Sequence, residues 1–469
     1  MSRCLVNRCG RAVLPLLSVV VAGGCIAIDD YSKFSFDGGP GTIDARVDAA
    51  GDADGGSSDT GTPATCDPPC LTDSYIDFST DQGTEPLTWR YQAQPFADHL
   101  DYFDLVPGNH RDVDGWVASP APPAILPCHE PSDLCVATSE LVLEAGADTG
   151  PVLLTTVPTT GRYAIDVSTR AIGSAPTELW VSRNSAADLV GYAAIDPSGG
   201  RGSISVQMEA VEGDRIVIAL RNPTGASDAI VGVNVRVSNS ATPSTCEHVA
   251  TFDGDRSDAC GGPAYEADGP GTLPALSTGP AAYLGTAQEL TSGSGTGVGL
   301  IASDATIDRS GDFTTQLWAF IDSQDYVTSS IYQDWDGTAS SGINFSMEEP
   351  SGADEIEMWF LYRDETNTEF PGVTCVAGDC SGVLRFARPP DDTWVHLRLT
   401  RSTADDTVRA CVDGVEVAGT EILPGADVSN PLSPKVGFNF SGTPTFRIDG
   451  TVDDIRQFSE ALPCAPPRP

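Results

Sequence analysis

Thr393–Gly419, TWVHLRLTRSTADDTVRACVDGVEVAG, carries apolar residues at every second position in two rows: Val395, Leu397 and Leu399, then Val408, Ala410 and Val412. Period two predicts two strands, each with one buried face. Asp413 and Gly414 between them and the VEV run can take the positive φ angles of a tight hairpin. Upstream, DFTTQLWAFID at Asp312–Asp322 places Phe313, Thr315, Leu317, Ala319 and Ile321 on one face and Trp318 and Phe320 on the other. Apolar groups on both faces predict a central strand. FRIDGTVDDIRQFSEAL, Phe446–Leu462, closes the region, so residues 246–465 read as one β domain.

A second β domain is predicted ahead of it, over residues 71–242. Tyr163, Ile165 and Val167 alternate with polar partners, as do Ile204, Val206 and Met208, then Ile216, Ile218 and Leu220, then Val231, Val233, Val235 and Val237. VEGD at Val211–Asp214 supplies a glycine-containing turn that predicts a hairpin. Antiparallel strands joined in this way argue for a two-sheet sandwich. SNSATPSTC at Ser238–Cys246 is the break between the two domains.

The segments around Trp318, around Trp394 and His396 with the Val412–Gly414 hairpin, and from Gly450 to Ile455 occur in an order that resembles a laminin G-like domain of the concanavalin A-like jelly roll. PVLLTTVPTTGRYAIDVSTR, ELWVSRN and ISVQMEAVEGDRIVIALRN, with the opening DFSTDQGTEPLTWRYQ, are similar to carbohydrate-binding-module-like jelly rolls of exported bacterial proteins. The fold class is therefore all-β, two tandem β-sandwich (jelly-roll) domains after a signal peptide and a disordered linker. Trp394 and His396 are expected to pack and hydrogen-bond within the sandwich. Cys411 stands where that family often has an aromatic residue, which implies that a disulfide replaces packing there.

The lectin-like resemblance implies carbohydrate binding on one sheet face or at the rim of the second domain. Tyr332, Trp335, Trp359 and Tyr362 are the candidate stacking residues, with core packing the alternative for each. Trp335 is favoured because Asp334, Asp336 and Gly337 place it in a loop. The Asp pair could also hold calcium, but two carboxylates without a third ligand do not make a metal site. Glu355 and Glu357 lie two apart on a strand, roughly 7 Å at ~3.3 Å per residue, a spacing that two catalytic carboxylates could use on a sugar. The laminarinase-like pattern expects an acid where Trp359 and Phe360 stand, and no serine elbow, phosphate loop, zinc-helix or dinucleotide motif is present. No catalytic residue is assigned and no cofactor is required.

The N-terminus reads as an export signal. Arg3, Arg8 and Arg11 precede the short apolar run Ala12–Ala22, roughly half of what a ~30 Å hydrocarbon core requires. VAGGC, ending at Cys25, resembles a bacterial lipobox, which implies that residues 1–24 are removed and Cys25 is acylated. Ile26 in the next position implies an outer-membrane or cell-surface destination. Residues 25–70, rich in Asp, Gly, Ser and Thr, lack the apolar side chains that would offset ordering entropy and read as a flexible acidic tether.

With 66 acidic against 26 basic side chains the chain carries a net charge of −40. That excludes a nucleic-acid partner, which needs clustered Lys and Arg, and leaves attachment to a membrane to the lipid. Of thirteen cysteines, Cys4 and Cys9 leave with the signal and Cys25 takes lipid, leaving an even set that fits an oxidising compartment. Neighbouring couples are expected as local bridges: Cys66 with Cys70, Cys128 with Cys135, and Cys375 with Cys380. Cys246 is expected with Cys464, bracketing the second domain, and Cys260 with Cys411 by elimination. The sequence thus reads as a lipid-anchored, non-enzymatic surface protein that binds glycans or protein ligands. A structural spacer without a ligand and a diverged glycoside hydrolase are the alternatives.

Overall fold

Phe313–Ile321 pairs antiparallel with Trp394–Ser402 on one side and Gly450–Phe458 on the other, the central position that its two apolar faces predict. The computed structural model describes residues 70–466 except 80, 129–133, 135–139, 199, 270, 292–296, 306, 322–328, 335–340, 349–354, 365–371, 377, 391, 431 and 440–449. The export signal, Cys25 and nearly all of the acidic tether therefore lie outside the described residues. Around the central trio the sheet extends through Thr286–Leu290 on one flank and through Thr407–Val412 and Val415–Glu421 on the other. Asp413 and Gly414 turn that last hairpin with φ of 49° and 80°, as their sequence predicts.

Facing it, a second eight-stranded sheet runs in the order Glu266–Asp268, Gly299–Ile301, Lys435–Asn439, Ser329–Gln333, Gly342–Glu348, Glu355–Arg363, Asp379–Ala387 and Val373–Val376. Leu317, Ala319, Leu397 and Leu399 from one sheet and Phe345, Met358, Phe360 and Leu384 from the other form a single apolar core.

Two further sheets between Cys70 and Asn239 make the first sandwich, with a core that includes Tyr163, Ile165, Val167, Ile216, Ile218 and Val235. The VEGD turn is not a hairpin. Arg201–Ala210 pairs with Gly161–Ala171 in one sheet, whereas Arg215–Arg221 pairs with Thr177–Arg183 and Thr149–Thr156 in the other. The turn crosses between sheets because Asp214 is drawn inward: its carboxylate accepts from the Val211 amide, from Asn184 and from Arg456.

The middle of the outer face of the Phe313–Ile321 sheet is buried, since the first sandwich covers it. Trp318 packs with Ala187 and Leu284. Arg398 donates to Asp188 at 2.6 Å and to Gln316 at 2.9 Å, and all three are buried. Asp188 also accepts from Arg183 at 2.7 Å, and Arg456 bridges Asp214 and Asp454. The C-terminal segment wedges into the same seam, where Ala465 pairs with Val415 and packs beside Trp180 and Leu189. His396 is fully buried against Trp318, and burial pushes its imidazole pKa down to about 3. Its backbone amide bonds Asp413, but neither ring nitrogen has a partner among the described residues, so the side chain packs without the expected hydrogen bond.

Cys375 bonds Cys380, as its spacing predicts. The two long-range pairings differ from expectation: Cys246 bonds Cys260, and Cys411 bonds Cys464. Cys246 does face the closing strand, opposite Phe458, but Cys464 lies past the end of that strand and crosses to Cys411. The chain after Cys246 meanwhile folds back so that the Cys260 Cα stands 5.9 Å from the Cys246 Cα. Cys70 and Cys128 are also disulfide-bonded, while Cys66 and Cys135 lie outside the described residues. Peptide mapping of the unreduced protein should recover Cys246–Cys260 and Cys411–Cys464 peptides. A Cys246–Cys464 peptide would contradict this fold.

Candidate functional site

Because one outer face of the second sandwich is covered by the first, the opposite sheet holds the remaining broad face. Its inward residues, Tyr332, Phe345, Met358 and Leu384, build the core. The residues between them point the other way, since successive side chains in a strand alternate. Cross-strand pairing sets these into two rows, one running Gln333, Asn344, Trp359, Val383 and the next Ser330, Ser346, Glu357, Arg385.

The rows grade from buried to exposed. Asn344, Ser346 and Glu357 are fully buried, Trp359 is half-buried, and the Arg385 side chain is 53% exposed. Glu357 accepts from Arg385 Nε at 2.5 Å and from the Trp359 indole at 2.9 Å. Beside it, neither end of the Asn344 carboxamide finds a hydrogen-bond partner among the described residues, nor do Gln333 Oε1 and Ser330 Oγ. An unpaired buried polar group costs about 1–3 kcal/mol, so such a cluster in a native fold calls for water, an ion or a ligand.

Of the four stacking candidates, Trp359 alone belongs to this face among the described residues. Tyr332 is fully buried, its hydroxyl accepting from Arg309 and Gln457. A bulge between Ser330 and Tyr332 turns both Ile331 and Tyr332 into the core, which removes Tyr332 from a ligand surface. Tyr362 is likewise in the core, stacked at 6.4 Å on Phe360, and burial raises its pKa. Trp335 lies outside the described residues. Sequence reasoning missed Asn344, Gln333, Ser330 and Arg385 as site residues. The available signal was INFSM, in which Asn344 and Ser346 alternate with buried Ile343 and Phe345.

Asp334, half of the pair read as a calcium candidate, is buried and ion-paired with Arg309 while accepting the Ile343 amide. Asp336 lies outside the described residues. Asp364, Cys375 and Cys380 place ligand-type atoms within 4.8 Å of one another, but both sulfurs are in the disulfide and unavailable to a metal. Asp214, Asp253 and Asp454 flank a cavity of about 260 Å³, and burial together with neighbouring carboxylates raises the pKa of Asp253 and Asp454, the latter to about 6. Their side chains do not converge into a three-ligand set.

Residues 292–465 match the family model of the concanavalin A-like lectin/glucanases superfamily, laminin G type. This part of the chain is a laminin G-like, concanavalin A-like domain. No curated protein matches the chain. Among solved structures, domain 4 of an extracellular GH43 arabinanase from Geobacillus stearothermophilus, in complex with arabinotriose, is similar at 17% identity and TM-score 0.34, over 47% of this chain and 95% of that one. The binding domain of Paraclostridial mosquitocidal protein 1 is similar at 10% identity and TM-score 0.33, over 46% and 49%. A botulinum neurotoxin type C structure, of a toxin whose cell entry depends on two ganglioside molecules, is similar at 11% identity and TM-score 0.33, over 47% and 48%. This chain spans about half the length of those two toxin structures.

Proposed function

We propose that this is a lipid-anchored, non-enzymatic surface protein that binds glycans on the Asn344–Trp359 face of its laminin G-like domain. The supporting observation is the Asn344 carboxamide, buried with neither end hydrogen-bonded among the described residues, beside a half-buried indole. Sugars offer apolar C–H faces to an aromatic ring and hydroxyls that both donate and accept, which suits a neighbouring carboxamide. The absence of enzymatic activity is argued from Glu357. The second carboxylate of the Glu355–Glu357 pair is held by Arg385 and Trp359, so its oxygens are already engaged within the sheet. The resemblance of the first sandwich to carbohydrate-binding modules is part of the same proposal.

A glycan array on the mature chain should return at least one ligand. Asn344→Ala and Trp359→Ala should each weaken it by about tenfold or more, equivalent to ~1.4 kcal/mol, with the melting temperature of Trp359→Ala close to wild type. Binding unchanged by both variants would refute the face. An empty array would favour the spacer.

The anchor rests on Cys25. Among the described residues no helix is long and apolar enough to cross a membrane. Cys25→Ser should move the protein from the detergent-extracted fraction to the soluble one, and retention in the membrane would overturn the lipoprotein reading.

A further inference from the structure

Where the first sandwich meets the Ala282–Leu284 turn of the second, a cavity of about 450 Å³ opens between them. Its floor comes from the outer face of one sheet of the first sandwich. There Arg215 lies opposite Thr156, with Arg90 and Gln92 on the next strand but one. Tyr102 and Tyr283 form a wall, and exposed Glu85 and Asp101 stand on the rim.

Arg215 is 7% exposed and has no carboxylate within 4.0 Å among the described residues. Its guanidinium lies 4.1 Å from the Tyr283 ring centre and 5.1 Å from that of Tyr102, and it donates to Gln92 Oε1 at 3.2 Å. Arg183, Arg398 and Arg456, equally buried in the same seam, each face a carboxylate. Arg401, which lacks one, is closed by backbone carbonyls and lies away from this cavity. Arg90 adds a second guanidinium. It pairs with Asp104 through Nη2 at 3.1 Å, while its Nε is buried without a hydrogen-bond partner among the described residues. Burial lowers the Arg215 pKa and Arg90 adds to that effect, while Tyr102, Tyr283 and Asp104 partly oppose it, so a counter-charge entering the cavity would favour the charged guanidinium.

A guanidinium presents a planar fork suited to a carboxylate. The tyrosines supply apolar ring surface and Thr156 a hydroxyl, while the Gln92 carboxamide is held between Arg215 and Asp104. The volume suits a small ligand, in the 300–1,000 Å³ range of such pockets. Glu85 and Asp101 at the mouth, on a chain of net charge −40, oppose a multiply charged anion.

We propose that this junction cavity binds a singly charged acidic sugar unit, a uronic acid residue whose carboxylate is received by Arg215. The site is separate from the Asn344–Trp359 face and does not depend on it. Calorimetric titration of the mature chain with D-galacturonate should show binding that the neutral sugar D-galactose does not. Arg215→Gln should weaken galacturonate at least tenfold, and Arg90→Gln, at a partly exposed position, about fivefold with an unchanged melting temperature. Asn344→Ala should leave this binding as it is, which separates the result from the fate of the glycan-binding face. Equal affinity for galactose, displacement by equimolar inorganic phosphate, or binding insensitive to Arg90→Gln would each overturn the proposal. The Arg90 variant and the galactose comparison decide the matter even if Arg215→Gln fails to fold.

Discussion

Asp188→Ala should destabilise the protein by about 3–5 kcal/mol, the usual consequence of removing one partner from a buried ion pair. Asp188 accepts from both Arg183 and Arg398, and none of the three side chains is more than 1% exposed. Its removal strands two guanidiniums out of reach of water. Burial alone would raise the Asp188 pKa, but the two arginines overcome it and hold the carboxyl below the usual carboxylate range. A depressed carboxylate contributes stability above its unfolded pKa of about 3.9 and loses it as pH falls through the folded value. The gap between wild type and variant in urea denaturation should therefore be full at pH 7 and narrow only in strong acid. A loss under 1 kcal/mol at pH 7 would mean that the seam is hydrated in solution. The wild type should unfold in one transition, because Arg398 and Asp214 find their ion-pair partners only when both sandwiches are in place.

A loss of similar size is expected from Phe360→Ala, about 3–5 kcal/mol for a fully buried aromatic ring. Phe360 faces Gly382 across the ladder, and the ring occupies the space a side chain there would need: a Cβ at Gly382 would stand 2.0 Å from Phe360 Cζ. Gly382→Ala should consequently cost about 1–3 kcal/mol through overpacking. The double variant should recover part of the loss, since alanine at 382 enters the space vacated by the ring. Chemical denaturation of the four proteins measures the coupling, and strict additivity would show that the two positions do not touch.

Strand content was legible wherever apolar residues alternate, and Trp318 on the reverse face correctly marked a central strand. What covers that reverse face was not legible. Asp188, the partner of Arg398, sits in a short turn of the other sandwich, and nothing in local pattern ties two residues so far apart in sequence. The phase of Tyr332 was hidden for another reason: a single bulge shifts its strand by one position and takes the ring inside. VEGD has a hairpin's composition, yet Asp214 finds a better partner in Arg456 than an open turn offers. The disulfides divide similarly. Cys375 and Cys380 follow from spacing, whereas Cys411 and Cys464 meet only because the C-terminal segment runs into the seam. At the face proposed for glycans, Trp359 could be nominated from residue type. Asn344 could not, since its significance lies in hydrogen bonds it lacks among the described residues.

The seam also bears on how such a chain can have been assembled and inherited. A β-sandwich that travels through genomes by recombination must keep its charge balance when its neighbour changes. Here Arg398 of one half is neutralised by Asp188 of the other, and Arg456 is shared between Asp454 of its own half and Asp214 of the other. Either half transplanted alone would leave Arg398 or Asp214 without its ion-pair partner at the former seam. The heritable unit is accordingly the pair, and relatives that keep the two arginines should keep the two aspartates with them.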